Sequence, residues 1–194
     1  MEPKILLSIL HQAEKLKCTT RHADTSTGRR ESVADHSWRL SLMAMLVSDA
    51  FPRLDMDRVI RMCLIHDLGE SFTGDIPAFD KNEGHRSREK AQLAAWVDGF
   101  PEPARTEFRG LLAEMDALET DEARLYKALD NLEAVIQHNE SDISTWLPLE
   151  YELQLTYGAD KVRFSPYLQE LKGEIDQVTR RKIREEGVGI LPTV

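Results

Sequence analysis

The sequence is organised around the stretch Ile65-His66-Asp67-Leu68-Gly69-Glu70-Ser71-Phe72-Thr73-Gly74-Asp75-Ile76-Pro77, which follows an apolar helical run. Because His66 and Asp67 are adjacent, a backbone turn can aim an imidazole nitrogen and a carboxylate oxygen at one point. Both atom types bind divalent metals such as Zn²⁺, Mn²⁺, Co²⁺ or Fe²⁺. The stretch therefore predicts a metal-centred hydrolytic site.

Two further carboxylates of this stretch are candidates for the same site. Glu70 follows His66 by four positions and Asp67 by three, so a helix that continues through it would place all three residues on one face. Gly74 is expected to break that helix and to let Asp75 reach back over the site.

Composition limits the class of protein. The chain has 194 residues, of which 41% are hydrophobic, which favours one folded domain over residues 1–186 with a loosely ordered tail at 187–194. The formal net charge of −9 disfavours a broad surface for polymeric nucleic acid. A small anionic substrate remains possible, because a metal and a few arginines can dominate the field inside a cleft.

The expected location is cytoplasmic, with no membrane association. Apolar runs such as Leu40–Val47 are far shorter than the ~20 residues that cross a bilayer. The first residues lack the pattern of a secretory signal peptide. Two cysteines, Cys18 and Cys63, are present, and they do not indicate a disulfide framework.

Apolar residues at helical spacing predict an all-α fold, with no competing strand pattern. Ser32 is expected to cap one helix, with Asp35 completing a capping box, and Asp55 to cap the helix that leads into His66. The segment Cys18–Glu31 is predicted to be a loop. A charged segment, Lys81–Lys90, is predicted to lead into a helix that ends at about Val97. The other helices are predicted at Pro3–Lys17, Glu102–Leu118, Asp121–His138, Leu147–Tyr157 and Pro166–Glu185.

Two residues on other helices are further candidates for metal ligands. His36 lies on the same stripe as Val33 and Leu40, and Asp130 lies beside the apolar stripe of its helix. Taken alone, His36 could be a hydrogen-bonded core histidine, and Asp130 could pair with a neighbouring lysine or arginine. Taken together with His66 and Asp67, they make a plausible set of ligands that leaves positions open for water and substrate.

This ordered set resembles the signature of the HD-domain metal-dependent phosphohydrolases. The flanking residues of the three motifs resemble the branch that contains bacterial 5′-deoxynucleotidases and their eukaryotic relatives. The matching segments are Glu31–Ser37, His66–Glu70, Thr73–Pro77 and Leu125–Ala134. The similarity extends over about residues 6–157 and implies a helical bundle with a metal site at its centre.

The resemblance implies a role for each matched residue. His36, His66, Asp67 and Asp130 match the metal ligands, and Glu70 and Asp75 match the acidic residues at the reacting centre. Arg21 matches an arginine that contacts the phosphate, while His22 stands where the family has a tryptophan that shapes the sugar pocket. The implied reaction is hydrolysis of (deoxy)ribonucleoside 5′-monophosphates to nucleoside and phosphate, with the metal polarising a phosphoryl oxygen and lowering the pKa of a bound water.

Several alternatives remain open. Because His22 replaces the tryptophan, the substrate could be another phosphate ester, such as a nucleoside triphosphate, a cyclic nucleotide or a phosphorylated metabolite. The chain could also bind nucleotides without catalysis. The resemblance implies one divalent ion (Mn, Co, Zn, Fe, Ni or Mg), because HD proteins with two ions usually have two further histidines between the His-Asp pair and the final aspartate. Here His85 is the one histidine between Asp67 and Asp130. The family resemblance further implies a homo-oligomer, most simply a homodimer.

Overall fold

In the computed structural model of the chain, residues 1–186 are described, and the predicted tail at 187–194 lies outside them. The prediction of an all-α fold is confirmed for the described residues. The helices are α1 (Pro3–Ala13), α2 (Val33–Leu46), α3 (Met56–Ile65), α4 (Glu70–Thr73), α5 (Glu83–Asp98), α6 (Ala104–Ala117), α7 (Asp121–Glu140), α8 (Glu150–Thr156) and α9 (Pro166–Glu186).

The described chain forms two compact units. The first contains residues 1–22 and 31–126, and the second contains residues 23–30 together with the chain from Lys127 onward. The prediction of one domain over residues 1–186 stays a prediction. None of the helices found between residues 1 and 186 is both long and apolar enough to cross a membrane.

The segment predicted as a loop, Cys18–Glu31, contains two short strands, so this prediction is wrong. Strands β1 (Thr20–Asp24) and β2 (Arg30–Ser32) pair in a two-stranded sheet. Gly28 adopts a left-handed φ of 78° in the connection, which glycine tolerates without steric cost. Ala23 is the one apolar residue of the two strands, so the pairing across a turn, rather than an apolar alternation, creates them.

Helix α2 begins where the sequence predicts. The backbone N–H of Asp35 donates to Ser32 Oγ at 3.1 Å, and the backbone N–H of Ser32 donates to Asp35 Oδ2 at 2.9 Å. These two bonds form the expected capping box, which satisfies donors that the first turn leaves unpaired. The box fixes the start of the helix and places His36 in its first turn.

Helix α3 also begins at its predicted cap, since Asp55 Oδ1 accepts from the backbone N–H of Arg58 at 3.0 Å. The helix ends at Ile65, so the expectation that it continues through Glu70 is wrong. A tight turn over residues 66–69 replaces it, in which the Glu70 N–H donates to the Asp67 carbonyl at 2.9 Å. Gly74 then ends α4 with a φ of 77°, which confirms its predicted role as the break.

The first unit is built around the packing of α2 against α3, and α3 also contacts α6. The buried residues of α2 and α3 are apolar except near the candidate site. They are Val33, His36, Ser37, Leu40 and Ala44 on α2, and Val59, Met62, Cys63 and Ile65 on α3. Burying this apolar surface is the main stabilising contribution to the unit.

Helix α1 is amphipathic, but its apolar side is not buried. No residue of α1 is buried, and Leu6 and Leu10 are 44% and 54% exposed. Leu16, which continues the same apolar spacing, is buried but lies just beyond the end of α1. The helix carries an apolar stripe that the described chain leaves largely exposed.

The second unit contains most of α7, together with α8 and α9, which pack against each other. Its buried cluster includes Trp146, whose indole N–H donates to the His138 carbonyl at 3.1 Å. His138 Nε2 lies 3.1 Å from Glu150 Oε1. These contacts fix the end of α7 to the start of α8.

The Ser32 cap is expected to contribute measurably to the stability of the protein. Replacing Ser32 by alanine removes the acceptor for the Asp35 N–H, and we expect the free energy of unfolding to fall by about 1 kcal/mol. Urea denaturation followed by circular dichroism measures this change. The matched control is Ser8→Ala on the exposed side of α1, and an equal loss in both variants would contradict the assigned cap.

Candidate functional site

Three of the predicted ligands come together in the first unit. The Nε2 atoms of His36 and His66 lie 3.2 Å apart, and Asp67 Oδ2 lies 2.9 Å from His66 Nε2 and 3.9 Å from His36 Nε2. The His36 side chain is fully buried, and the His66 side chain is nearly so. Asp67 is partly exposed, so the cluster opens to solvent on the carboxylate side.

The peptide backbone fixes the orientation of His66. Its ring Nδ1 lies 2.9 Å from the carbonyl oxygen of Cys63, one turn earlier on α3. Because a carbonyl oxygen only accepts, Nδ1 carries the proton in this bond. In a metal-binding histidine, the ring nitrogen that does not bind the metal usually donates its N–H to a carbonyl or carboxylate oxygen. Here that hydrogen bond directs Nε2 toward the cluster.

The donor atoms fit a bound divalent metal. When His66 is neutral and donates through Nδ1, its Nε2 carries a lone pair that faces the Asp67 carboxylate at 2.9 Å. Two electron-rich atoms this close require a cation between them, either a proton or a metal. Ligand atoms that share a tetrahedral zinc ion at about 2.0–2.2 Å lie about 3.3–3.6 Å from one another. The three distances here, 2.9, 3.2 and 3.9 Å, fall on both sides of that spacing.

Glu70 lies beside this cluster in a buried position. Its Oε1 accepts a hydrogen bond from Lys81 Nζ at 3.2 Å, while its buried Oε2 has no hydrogen-bond partner among the described residues. Burial is the main cause that raises the pKa of Glu70 to about 9; the charges of Asp67 and Asp75 act in the same direction, and Lys81 opposes them. A carboxyl group in such surroundings can hold a proton near neutral pH.

Asp75 directly follows Gly74 in the loop after α4. Burial raises the pKa of its carboxyl group, and the charge of Asp67 adds to this effect. Arg21, Lys81 and a hydrogen bond from the His22 backbone act in the opposite direction. The charge of Asp67 thus acts on the Asp75 carboxyl group, and the place of Asp75 at the reacting centre stays a prediction.

The two residues predicted to bind substrate lie on β1. The Nε of Arg21 is 3.5 Å from Oε2 of the buried Glu31, which is on β2. The His22 ring meets the Phe79 ring edge to face, with 5.7 Å between centroids. The turn after α4 thus lies against the strand that carries Arg21 and His22.

The fourth predicted ligand, Asp130, belongs to the second unit, on α7. Its Oδ2 lies 2.7 Å from Lys127 Nζ, one turn earlier. Asp130 therefore forms the ion pair with a neighbouring lysine that is one of its two predicted roles. The role of Asp130 as a metal ligand stays a prediction.

Three further charged residues lie beside the predicted site, and of these the sequence suggested a role only for Lys81, in a phosphate-facing rim with Arg86 and Arg88. They are Glu31, which pairs with Arg21, and Lys81 and Glu89, which form an ion pair of 2.7 Å beside Glu70. Glu31 directly precedes the Ser32 cap, and its position in that motif was a usable signal. The pairing of Lys81 with Glu89 depends on a loop and a helix meeting, which no local pattern predicts.

Comparisons with known proteins give independent findings. A family model described as an HD domain matches residues 13–172. The human 5′-deoxynucleotidase HDDC2 is 38% identical over 115 residues, a match that covers 58% of this chain and 55% of that protein. Its mouse counterpart is 35% identical over 150 residues, covering 75% of this chain and 73% of that protein. The aligned region thus spans about half to three quarters of these relatives.

A solved structure from Magnetospirillum magnetotacticum MS-1, described as a predicted metal-dependent phosphohydrolase, is similar with a TM-score of 0.75. It is 29% identical, and the match covers 91% of this chain and 92% of that one. The resemblance inferred from the sequence motifs is therefore confirmed.

The cluster predicts a specific metal dependence. We expect purified protein to hold one divalent ion, and His66→Ala to reduce the metal content at least about tenfold, because it removes one of few ligands. Elemental analysis by mass spectrometry after gel filtration measures this ratio. The control is His11→Ala, on the exposed surface of α1, and retention of the ion by the His66 variant would exclude this residue as a ligand.

Proposed function

The chain belongs to the HD domain family, and we propose that it is a metal-dependent phosphohydrolase of (deoxy)ribonucleoside 5′-monophosphates. The observation that carries the proposal is the convergence of His36, His66 and Asp67 next to the buried carboxyl group of Glu70. Curated relatives that match most of the chain are named 5′-deoxynucleotidases, which supports this substrate class. The products are a nucleoside and inorganic phosphate.

One divalent ion is proposed as the cofactor, held by His36, His66 and Asp67, with Asp130 added from the sequence motif. When bound, it supplies a Lewis acid for a phosphoryl oxygen and lowers the pKa of water. The mixed nitrogen and oxygen donors accommodate several first-row metals, so Mn, Co, Zn, Fe, Ni and Mg all remain candidates.

Glu70 is proposed to handle the proton of the attacking water. Its Oε1 is held by Lys81, and its Oε2 is buried without another partner within residues 1–186. A carboxyl group in this position can exchange a proton with a neighbouring water. Asp75 is proposed to orient water or to assist the leaving oxygen. The positive charges of Arg21 and Lys81 act on its carboxyl group.

Arg21 is proposed to bind the phosphate. Its side chain is mostly buried, and its guanidinium group is anchored at Nε by Glu31. A guanidinium fork held in this way suits a phosphoryl group, and its charge stabilises the negative charge that is transferred. His22, which follows Arg21 on β1, is proposed to line the sugar side of the site.

The substitution of histidine for tryptophan at position 22 keeps a second candidate function open. An enzyme with the same centre could hydrolyse a nucleoside triphosphate, a cyclic nucleotide or another phosphorylated metabolite. A nucleotide-binding module without catalysis is the remaining alternative. The buried Glu70 argues against it, because burying a carboxyl group is costly and nucleotide binding alone does not require one there. A cytoplasmic location stays a prediction.

A homodimer is proposed for the assembly, with the exposed side of α2 as its contact surface. We call this surface the α2 face: Trp38, Leu42, Met45 and Leu46, which are 65%, 37%, 57% and 71% exposed. The first three are spaced by one turn and lie on one side of the helix. The sequence has no charged residue between Arg39 and Asp49, and an exposed apolar patch that includes an aromatic side chain is typical of an interface.

The proposed role of Glu70 is tested by Glu70→Gln. This variant keeps the side-chain size and the acceptor for Lys81 but cannot take up a proton, so we expect kcat to fall by about a hundredfold or more. The measurement is phosphate release from deoxynucleoside 5′-monophosphates, with the metal content determined in parallel. The control is Glu83→Gln in the exposed first turn of α5; wild-type turnover by the Glu70 variant would refute the role.

The assembly is tested by Leu46→Glu, which places a charge on the α2 face. We expect the wild-type chain to behave as a dimer and this variant as a monomer in gel filtration with light scattering, because an unpaired charge is costly to bury in an interface. Val178→Glu on α9 is the control, since Val178 is also an exposed apolar residue. A dimer that persists in the Leu46 variant would remove the α2 face as the contact.

A further inference from the structure

Lys81 connects three parts of the first unit. It lies in the loop between α4 and α5, and its Nζ is 3.2 Å from Glu70 Oε1 and 2.7 Å from Glu89 Oε2. The side chain is only 15% exposed. A lysine this deeply placed, with both of its ion-pair partners also largely buried, differs from the solvated lysines on the surface of most proteins.

The backbone of the loop fixes the position from which Lys81 reaches Glu70. The N–H groups of Asp80 and Lys81 both donate to the carbonyl of Pro77, at 2.9 and 3.0 Å. The carbonyl of Lys81 accepts from the Arg86 guanidinium group at 3.2 Å. The residue is therefore anchored on both sides of its Cα, and its side chain extends back toward α4.

Glu89 holds the other side of Lys81, and Gly69 makes room for it. A Cβ atom at position 69 would lie 2.6 Å from Glu89 Cγ and 3.2 Å from its Oε1. These distances are shorter than van der Waals contact, so only glycine lets the Glu89 side chain lie against this backbone. Since Gly69 directly precedes Glu70, the approach of Glu89 is part of the turn that presents the Glu70 carboxyl group.

Charge explains why a cation is needed at this point. Burial lowers the pKa of the Lys81 amine, but the hydrogen bond to Glu89 and the charges of Glu70 and Glu89 outweigh it, so the pKa is raised. The amine is thus positively charged at neutral pH. It faces Glu70, which otherwise lies near two further carboxylates, Asp67 and Asp75.

We propose that Lys81 is a positioning residue for Glu70: its ammonium group holds Oε1 and leaves Oε2 to exchange a proton at the reacting centre. Glu89 holds the ammonium group in place, and Gly69 permits that contact. The inference rests on the proposed function, because it assumes the role assigned there to Glu70. It adds a residue that acts through Glu70 and does not itself contact the substrate.

The competing role for Lys81 is direct binding of the phosphate, together with Arg86 and Arg88 at the rim of the site. The two roles differ in kinetics. Loss of a phosphate ligand weakens binding and raises KM, whereas loss of a positioning contact lowers kcat with little change in KM. The ion pairs of Lys81 with Glu70 and Glu89 favour the positioning role, because they already occupy the ammonium group.

The test is a double-mutant cycle between Lys81→Met and Glu70→Gln, with phosphate release as the readout. In the wild-type background, we expect Lys81→Met to lower kcat between about tenfold and about a hundredfold, with KM changed less than about twofold. In the Glu70→Gln background, the same substitution should change kcat less than about threefold, since residues that act as a unit are not additive. Lys81→Arg should restore most of the activity.

The inference would be overturned if the loss of kcat in the double variant equalled the product of the losses in the two single variants. It would also be overturned if Lys81→Met raised KM and left kcat unchanged. Lys90→Met on α5, the helix that carries Glu89, is the control, because Lys90 forms an exposed pair with Asp116 and the variant should have wild-type kinetics. An inactive wild-type protein would refute the proposed function instead.

A structural readout tests the inference whether or not the protein releases phosphate. In crystal structures of the metal-loaded wild-type protein, we expect Glu70 to occupy a single rotamer with Oε1 on Lys81. In the Lys81→Met variant, we expect it to occupy a different rotamer or more than one. An identical, fully ordered Glu70 in both proteins would show that Lys81 does not position it.

Discussion

The close approach of electron-rich atoms at one point dominates the physical chemistry of this chain. Two imidazole nitrogens and a carboxylate oxygen, from His36, His66 and Asp67, lie within 2.9–3.9 Å of one another in a largely buried position. Such an arrangement is unfavourable without a cation, and its stability depends on what binds there. The capping box of α2, the end of α3 and the hydrogen bond from His66 to the Cys63 carbonyl all serve to hold these atoms together.

The residues around His36, His66 and Asp67 balance their charge. Glu70 and Asp75 add two more carboxyl groups, and the pKa of each is raised, mainly by burial. Arg21 and Lys81 supply the opposing positive charge. Arg21 is held by Glu31, and Lys81 is held by Glu89. The result is a site in which carboxyl groups can hold or release protons while the cationic groups stay fixed. This combination supports hydrolysis of a phosphate ester better than passive binding.

The sequence predicted the parts of this site that local chemistry encodes, namely the caps at Ser32 and Asp55, the break at Gly74, and the pairing of His36 with the His66-Asp67 motif. It did not predict the hairpin, because the two strands between residues 20 and 32 carry a single apolar residue, Ala23, and so show no apolar alternation. It also wrongly continued α3 to Glu70, since nothing in the local propensities marks the turn at residues 66–69. The contacts of Lys81 with Glu89 and Glu70 depend on tertiary structure, so a periodic pattern could not indicate them.

The most direct test of the central claim is a metal titration of activity. Protein stripped of metal is restored with Mn²⁺, Co²⁺ or Zn²⁺, and phosphate release from ribo- and deoxyribonucleoside 5′-monophosphates is measured at each addition. A single catalytic ion held at His36, His66 and Asp67 predicts no release without metal and a linear rise that ends near one equivalent. Release that is independent of added metal, or none with any metal and any of these nucleotides, would contradict it.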